Sequence, residues 1–437
     1  MTPPSSRSPA ESERSLVVLA CLALVAGVAV GLVGACFRLA LDQGDRAREA
    51  LISWAHGELG GAGLLLVAAT CAGAVSVAAW MVRRYAPHAS GSGIPHVEAV
   101  LTGEIPQAPF RLVPVKFVGG LLAISPGLAL GREGPSVQMG ASIAHLIGQV
   151  FRRSWPDCRE LLAAGAGAGL ATAFNAPMAG AVFVLEELVK RFETRVAIAA
   201  LAASATAMAV GRVLLGDAPD FHVRYLIYPS ATTKLLFFVL GAVCGLVAIA
   251  YNRSLLGALT LMDRLSRWPL ELRAGVIGAA VGILAWFAPP LVGGGDPLTQ
   301  RALDGAEALS MLPLLFMVRF GLGAVSYAAG TPGGLFAPML VLGAQLGLAV
   351  GILFRLAFPN LDVQAEEFAL VGMAAFFTGV VRAPLTGIVL VTEMTGSVTL
   401  LLPMLGACAI AMLVPTLLGD APVYESLRER TLQKALH

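Results

Sequence analysis

Charged residues are scarce in this sequence. Asp, Glu, Lys and Arg make up only 13% of its 437 residues, whereas hydrophobic residues make up 57%. Soluble domains carry about 25% charged residues, so this composition excludes a soluble globular protein. The net charge is only +2, which gives no support to nucleic-acid binding. What is left is a chain that crosses a lipid bilayer several times.

Cysteine pairs with the spacing of metal ligands are also missing. The six cysteines are Cys21, Cys36, Cys71, Cys158, Cys244 and Cys408. They are scattered through apolar segments without a CxxC motif, so we expect small buried hydrophobic residues rather than disulfides or a metal site. No metal or other cofactor is predicted.

Uninterrupted apolar runs are few, because the 49 glycines and 26 prolines break most of the runs that are long enough to cross a bilayer. Such breaks are tolerated at membrane depth only where the backbone is buried in protein or lines a cavity. An all-α polytopic membrane protein with broken helices is therefore predicted. The predicted spans are 15–40, 61–82, an interrupted stretch 110–150, 160–190, 196–215, 233–262, 272–291, 311–329, 335–357, 367–381, 384–395 and 399–418, followed by a polar helix 424–435.

The N-terminal region carries no signal peptide. Residues 1–14 are rich in Ser, Pro and charge, and we expect a disordered tail. The apolar run 15–40 that follows is longer than a signal-peptide core of roughly 7–15 residues. Basic residues before the first span (Arg7, Arg14) and after the second (Arg83-Arg84) place the N-terminus in the cytoplasm.

The sequence contains an internal duplication. Residues 91–95 are echoed by 293–297, 131–135 by 334–338, and 176–180 by 383–387, in the same order. This order predicts a first membrane repeat over 15–215, a second over 216–418, and a C-terminal helix over 419–437. Identity alone does not show whether the halves are inverted. Matching Gly/Pro-interrupted segments in two halves point to a transport site where the halves meet.

Three short segments, called the Gly-Pro segments below, are rich in glycine and end in proline. They are Gly91-Ser92-Gly93-Ile94-Pro95, Gly131-Arg132-Glu133-Gly134-Pro135 and Gly334-Leu335-Phe336-Ala337-Pro338. Proline is favoured in the first turn of a helix, and a helix N-terminus attracts anions. Three such ends could surround one anion without a full countercharge, which suits an ion that must also leave. The alternative is that they are only helix breaks.

Glu133 is an acid in an apolar region, and an intramembrane carboxylate is by default a functional-site hypothesis. Its counterpart in the other half is Phe336, so the loop geometry does not require an acid there. When ionised, the carboxylate could occupy the place of the anion, and when protonated it could leave. A proton-dependent gate is predicted, against the alternative of a buried ion pair with Arg132.

Glu186 and Glu187 are adjacent and therefore point about 100° apart on a helix. Glu186 matches Glu393 across the duplication, whereas Glu187 matches Met394. The duplicated acid is interpreted as architectural, and Glu187 as a proton-relay residue. An ion pair of Glu187 with Lys190 or Arg191 on the cytoplasmic side is the alternative.

In this order the Gly-Pro segments resemble the selectivity-filter segments of the CLC chloride channel/transporter family. The stretches at 175–180 and 382–387, each followed by glutamate, are similar to that family as well. The resemblance runs from about residue 15 to the C-terminus, its motif set is highly specific, and within the family it is strongest to the bacterial chloride/proton antiporters. It implies two inverted halves with broken and tilted helices, and homodimers in the bacterial inner membrane with one pore per subunit.

The resemblance also implies site residues. Chloride would be bound by the Ser92 hydroxyl, the Leu335 and Phe336 amides and the Tyr424 phenol, with Glu133 as external gate and Glu187 as internal proton acceptor. Ser92 stands where nitrate-preferring members have proline and fluoride exporters have methionine, which favours chloride. Glu187 stands where channel-type members commonly lack an acid, which favours exchange.

The expected function is therefore chloride/proton antiport, with a passive voltage- or pH-gated chloride channel of the same fold as the alternative. The chain stops soon after Tyr424, so CBS domains and nucleotide regulation are not expected. A rival from another class is an intramembrane hydrolase that uses Ser92 with His96 or His145. Ser92 lacks the GxSxG context of such a nucleophile, so no catalytic residue and no enzyme activity are predicted.

Overall fold

The computed structural model describes residues 9–223 and 228–436, and this part of the chain is α-helical without β-strands. Its helices are α1 Pro9–Glu58, α2 Gly61–Tyr85, α3 Ile94–Thr102, α4 Leu112–Ile124, α5 Glu133–Val150, α6 Trp155–Phe174, α7 Pro177–Phe183, α8 Thr194–Leu215, α9 Ala231–Arg264, α10 Leu270–Phe287, α11 Asp296–Leu303, α12 Leu312–Tyr327, α13 Phe336–Ala357, α14 Ala365–Val381, α15 Pro384–Thr395, α16 Leu401–Leu417 and α17 Val423–Leu436. Two 3₁₀ turns (Pro87–Ala89 and Pro289–Leu291) and a π-helical turn (Val184–Leu188) complete the elements.

Helix α1 is longer than the predicted first span at both ends. It begins at Pro9, so residues 9–14 are helical, while the predicted tail residues 1–8 lie outside the described residues. It also continues past residue 40 to Glu58, because the charges beyond the span find partners. Arg48 donates to Asp45 Oδ1 (2.5 Å) and to the Ser125 carbonyl oxygen (2.8 Å).

The span predicted over 160–190 is not one helix. Helix α6 ends at Phe174, Asn175 takes a left-handed conformation (φ 53°), and α7 starts at Pro177. Proline cannot continue a helix because it lacks the N–H and clashes with the preceding turn. The same break recurs in the second half at Arg382 (φ 73°), between α14 and α15.

The packing of the helices repeats between the two halves. Helix α5 packs on α6 as α13 packs on α14, and α1 packs on α8 as α9 packs on α16. Lys116 Nζ donates to the carbonyl oxygens of Ala89 (3.0 Å) and Gly91 (2.7 Å). Its counterpart Arg319 donates to the equivalent carbonyls of residues 291 and 293, both at 2.9 Å. One buried base thus holds the same loop in each half.

Glu186 and Glu393 show that the halves are inverted. Glu393, near the end of α15, accepts hydrogen bonds from two backbone N–H groups at the start of α7, at 3.0 and 2.8 Å. Glu186, which follows α7, accepts from two N–H groups at the start of α15, at 3.0 and 2.7 Å. The end of each helix therefore meets the start of the other, so these equivalent helices are antiparallel. A carboxylate at a helix N-terminus is favourable, which gives this pair the architectural role inferred from the duplication.

Among the described residues, six stretches are long and apolar enough to cross a membrane: Ser15–Glu58, Gly61–Tyr85, Thr194–Leu215, Thr233–Arg264, Leu270–Phe287 and Phe336–Ala357. Helices α6 and α14 are buried over almost their whole length and form the centre of the molecule. Four of the cysteines are buried as expected, but Cys21 and Cys36 lie on the exposed surface of α1, which corrects the expectation for these two. The surface there is apolar, with Leu24, Val28 and Leu32 exposed on the same helix.

Candidate anion and proton site

The three Gly-Pro segments meet at the centre of the molecule. Gly131 and Gly334 exchange two backbone hydrogen bonds, at 2.9 and 2.7 Å. Gly91 N donates to the Thr331 carbonyl oxygen (3.0 Å), and Gly333 N donates back to the Gly91 carbonyl oxygen (3.1 Å). Segments that lie more than 200 residues apart in sequence are thereby joined into one backbone framework.

Each Gly-Pro segment leads into a helix, with its proline in the first turn. Helix α3 begins at Ile94, α5 at Glu133 and α13 at Phe336. Gly93 has φ 87°, a left-handed conformation that lets the chain turn into α3. A Cβ atom on Gly134 would lie 2.6 Å from Ser92 Oγ, so the start of α5 packs directly on the Ser92 hydroxyl. Tyr424 stands at the start of α17.

The Glu133 carboxylate lies on the backbone of the opposite half. Its Oε1 accepts a hydrogen bond of 2.7 Å from Phe336 N, one of the two amides expected to bind chloride. A Cβ atom on Gly131 or on Gly334 would lie 1.9 Å from a carboxylate oxygen, so only glycine leaves room for this position. The second oxygen, Oε2, is buried and has no hydrogen-bond partner. The carboxylate thus lies on the N–H at the start of α13, where the helix dipole favours a negative charge.

Arg132 does not take the role of partner to Glu133 that was considered from the sequence. Its Nε donates to the Ala173 carbonyl oxygen (2.8 Å) at the end of α6. Its Nη2 pairs with Asp220 Oδ2 at 3.4 Å. The Arg132 guanidinium is therefore bound by the end of α6 and by Asp220, and not by Glu133.

Ser92 and Tyr424 are fully buried, and their hydroxyl groups face each other without forming a hydrogen bond of normal geometry. A buried hydroxyl without a partner is costly, so two of them at one place are typical of a ligand site. Both can donate, and donors that converge in an apolar surrounding suit an anion. The rings of Phe174, Phe183, Phe377 and Tyr424 surround that of Phe336, with centroids 4.6–6.1 Å away.

Glu187 lies in the π-helical turn after α7 and is 4% exposed. It lines a cleft of about 670 Å³ together with Lys190, Arg191 and Arg382. Its carboxyl group lies against that of Glu98 on α3, which is 1% exposed. Lys190 acts electrostatically on both acids. Neither Glu98 oxygen has a hydrogen-bond partner in the described part of the chain. Two neighbouring carboxyl groups out of water repel each other when both are ionised, which favours a state with one proton on the pair.

Glu98 is the functional candidate that reasoning from the sequence missed. It lies three residues after Pro95, on the helix that the first Gly-Pro segment starts. The available signal was an acid in an apolar helix, which is the same signal that singled out Glu133. Helix α3 places Ser92 before its start and Glu98 within it, so it connects the hydroxyl pair with the acid pair.

Glu187 and Arg132 lie toward opposite faces of the molecule. Helix α8 starts at Thr194, just after Glu187, and its 22 residues end at Leu215. A helix of this length spans about 33 Å, close to the thickness of the hydrocarbon core of a bilayer. The loop that follows Leu215 carries Asp220, the partner of Arg132. Glu187 and the Arg132–Asp220 pair thus lie near opposite ends of α8.

The hydrolase alternative finds no support in the geometry. Ser92 Oγ and both ring nitrogens of His96 have no hydrogen-bond partner, so the two side chains form no nucleophile–base pair. His145 contacts the Trp155 ring, with centroids 5.8 Å apart. Across residues 9–223 and 228–436, no cluster of three or more His, Cys, Asp or Glu could hold a metal ion.

These features define a class of protein. Two inverted halves of broken helices, with helix N-termini converging on buried donors near the middle, form the architecture of ion transporters and channels. A family model described as voltage gated chloride channel matches residues 72–416. The chain therefore belongs to the CLC family of chloride channels and transporters, as the Gly-Pro segments predicted.

Individual relatives and structures agree with this assignment. The H(+)/Cl(-) exchange transporter ClcA of Vibrio cholerae is 38% identical over 420 residues, covering 94% of this chain and 89% of the relative. The protein of that name from Cronobacter sakazakii is 38% identical over 431 residues, covering 97% and 91%. The crystal structure of a slow cyanobacterial Cl−/H+ antiporter superposes with a TM-score of 0.91 at 34% identity, covering 96% of this chain and 99% of that one. A eukaryotic CLC transporter, with a TM-score of 0.82 at 24% identity over 95% of this chain and 74% of the other, shares the fold.

Proposed function

We propose that this protein is a secondary active antiporter that exchanges chloride for protons across the bacterial inner membrane. The observation that carries the proposal is the hydrogen bond from Phe336 N to Glu133 Oε1, because an ionisable acid then lies on a helix N-terminal amide, where an anion is favoured. Chloride and the ionised carboxylate then compete for one position, and protonation decides between them. Relatives whose names or descriptions state chloride/proton exchange support the same function.

Chloride is held by the hydroxyl groups of Ser92 and Tyr424 and by the backbone amides of Leu335 and Phe336. The support is that both hydroxyls are buried, face each other and have no other partner. Leu335 and Phe336 lie at the N-terminus of α13, where the helix dipole favours an anion. None of these groups is a full positive charge, so the ion is bound without being trapped.

Protons enter by way of Glu187 and reach Glu133. Glu187 borders the cleft of about 670 Å³, whereas Glu98 is buried behind it. A proton taken up at Glu187 can therefore be shared with Glu98 before it moves on. With the N-terminus in the cytoplasm, this cleft opens to the cytoplasm. The functional unit is a homodimer with one pore per subunit.

The experiment that tests the proposal measures coupling directly. Purified protein in liposomes with a chloride gradient and no initial pH gradient is expected to drive protons in the direction opposite to chloride. The electrical potential that stops net transport under combined chloride and pH gradients reports the coupling. Sustained chloride flux without any proton movement would show a passive chloride channel instead.

Replacing Gly334 with alanine is expected to displace the Glu133 carboxylate. The new Cβ would lie 1.9 Å from Oε1, and the Gly334 backbone is fixed by its two bonds to Gly131. Overpacking of this kind costs about 1–3 kcal/mol, so occupancy of the position should fall about 5- to 150-fold. Chloride flux from liposomes at neutral pH should therefore rise toward its value at acid pH.

The matched control is Gly294→Ala, in the loop that echoes the first Gly-Pro segment. A Cβ there would meet no atom closer than 3.9 Å, so the pH dependence of chloride flux should stay as in the wild type. A Gly334→Ala protein that elutes as the wild type and keeps the full pH dependence would contradict the position assigned to Glu133.

A further inference from the structure

The segment 216–223, called the strap below, leaves α8 and belongs to the connection between the two halves. It is tied to three helices that lie far apart in the sequence. Its hydrogen bonds are Asn175 Nδ2 to the Ala218 carbonyl oxygen (2.8 Å), Phe221 N to the Met394 carbonyl oxygen (3.0 Å) and His222 N to Gln300 Oε1 (2.9 Å). The strap is therefore fixed to the end of α6, to α15 and to α11.

Asp220 is the part of the strap that reaches the site. Its side chain is 6% exposed and lies between two arginines. One carboxylate oxygen pairs with Arg38 on α1, and the other lies 3.4 Å from Arg132 Nη2. With Nε bound to the Ala173 carbonyl oxygen, the Arg132 guanidinium is held between the strap and the end of α6.

Arg132 and Glu133 are neighbours in the chain, yet their side chains bond to different parts of the molecule. The carboxylate turns to Phe336 N, and the guanidinium turns to Asp220. Their charges still interact. If Arg132 were released from the strap, it could approach the carboxylate, and a closer cation would favour its ionised form.

We propose that Asp220 is a positioning residue for the transport cycle, which holds the Arg132 guanidinium on the strap and so keeps it from pairing with the Glu133 carboxylate. The carboxylate then remains able to take up a proton and to leave the Phe336 amide. This inference rests on the proposed function of Glu133 as the gate. It gives the connection between the halves a part in gating, besides joining them.

Other ionisable groups also act electrostatically around Glu133 and Arg132. These are Asp296 on α11, Tyr251 on α9, Tyr424 on α17, and Arg38 and Asp42 on α1. Within the part of the chain that the structure describes, Arg38 is the only one of these groups that bonds to Asp220, so the contribution of the others should be unchanged when Asp220 is altered. The expected shift is therefore specific to the Asp220 contact.

The test is the pH dependence of chloride flux from liposomes that contain the Asp220→Asn protein. The released Arg132 stabilises the ionised gate, so a lower pH is needed to protonate it. The pH of half-maximal flux should fall by about half a unit or more. Asp220→Glu, which keeps the charge, should restore most of the wild-type profile. Asp217→Asn removes the same charge from an exposed position on the strap and should leave the profile unchanged.

Two further proteins separate this inference from its rivals. In an Arg132→Gln background, Asp220→Asn should shift the profile no further, because the residue it positions is gone; a shift that persists there would overturn the inference. In the Arg38→Gln protein, Asp220 can pair with Arg132 alone, so the pH of half-maximal chloride flux should rise. A flux lowered equally at every pH would mark Asp220 as merely structural. Absence of coupling in the wild type would instead refute the proposed function itself.

Discussion

Replacing Glu133 with alanine is expected to give a protein that conducts chloride, moves no protons and has lost its response to pH. The carboxylate accepts a hydrogen bond from Phe336 N. In the proposed mechanism the ionised side chain blocks that amide. Alanine removes both the block and the proton acceptor. Proton flux should fall about 100-fold or more, the effect typical of losing a proton-transferring side chain. Parallel recordings of chloride and proton flux from liposomes measure both consequences.

Glu133→Gln is the matched control for this substitution. It keeps the size of the side chain and resembles the protonated acid, so it should also end proton transport and pH dependence. If chloride flux through Glu133→Ala kept the pH dependence of the wild type, the gate would have to lie elsewhere. If protons still moved against chloride, Glu133 would not be on their path.

The proposed competition between chloride and the carboxylate requires an asymmetric site. The duplication supplies a similar framework from both halves, with Lys116 and Arg319 holding equivalent loops. The candidate functional residues lie where the two halves differ in sequence. Across the duplication, Glu133 corresponds to Phe336, and Ser92 corresponds to Gly294. The two halves thus share the framework, and they differ at the hydroxyl that we propose to bind chloride and at the acid that we propose to bind the proton.

The sequence predicted those parts of the site that depend on local pattern. A proline after glycines marks a helix start, and an acid in an apolar segment stands out, so the Gly-Pro segments, Glu133 and Glu187 could all be found. Glu186 and Glu393 could be recognised as an architectural pair because they match across the duplication, whereas the neighbouring Glu187 matches Met394. Their contact, and hence the inversion of the halves, needed the structure.

What the sequence did not predict depends on contacts between distant segments. Asp220 lies in a polar loop and reaches Arg38 and Arg132 over sequence separations of 182 and 88 residues. Glu98 becomes a candidate for proton transfer only because the fold packs α3 against the turn that carries Glu187. The length of α1 was underestimated because charges that look like a helix end are satisfied by tertiary partners such as the Ser125 carbonyl.

Replacing Glu187 with alanine is expected to stop proton transport while chloride still flows. The side chain borders the cleft and lies beside Glu98. Within the described residues no hydrogen bond joins it to a group assigned to chloride, and it acts on the Tyr424 phenol through its charge. Chloride flux should therefore stay within about twofold of the wild type, and proton flux should fall about 100-fold or more. The pH dependence of chloride flux should survive, because Glu133 is still present.

Glu98→Gln separates the two members of the acid pair. Glu98 is buried behind Glu187 and does not border the cleft, so its loss removes the acid that shares the proton but not the one that receives it. Proton transport should be slowed rather than abolished.

Equal coupling in the wild type and in Glu187→Ala would refute the role of Glu187. A complete loss in Glu98→Gln with normal transport in Glu187→Ala would move the entry point to α3, and the proton path would then run along the helix that also presents Ser92.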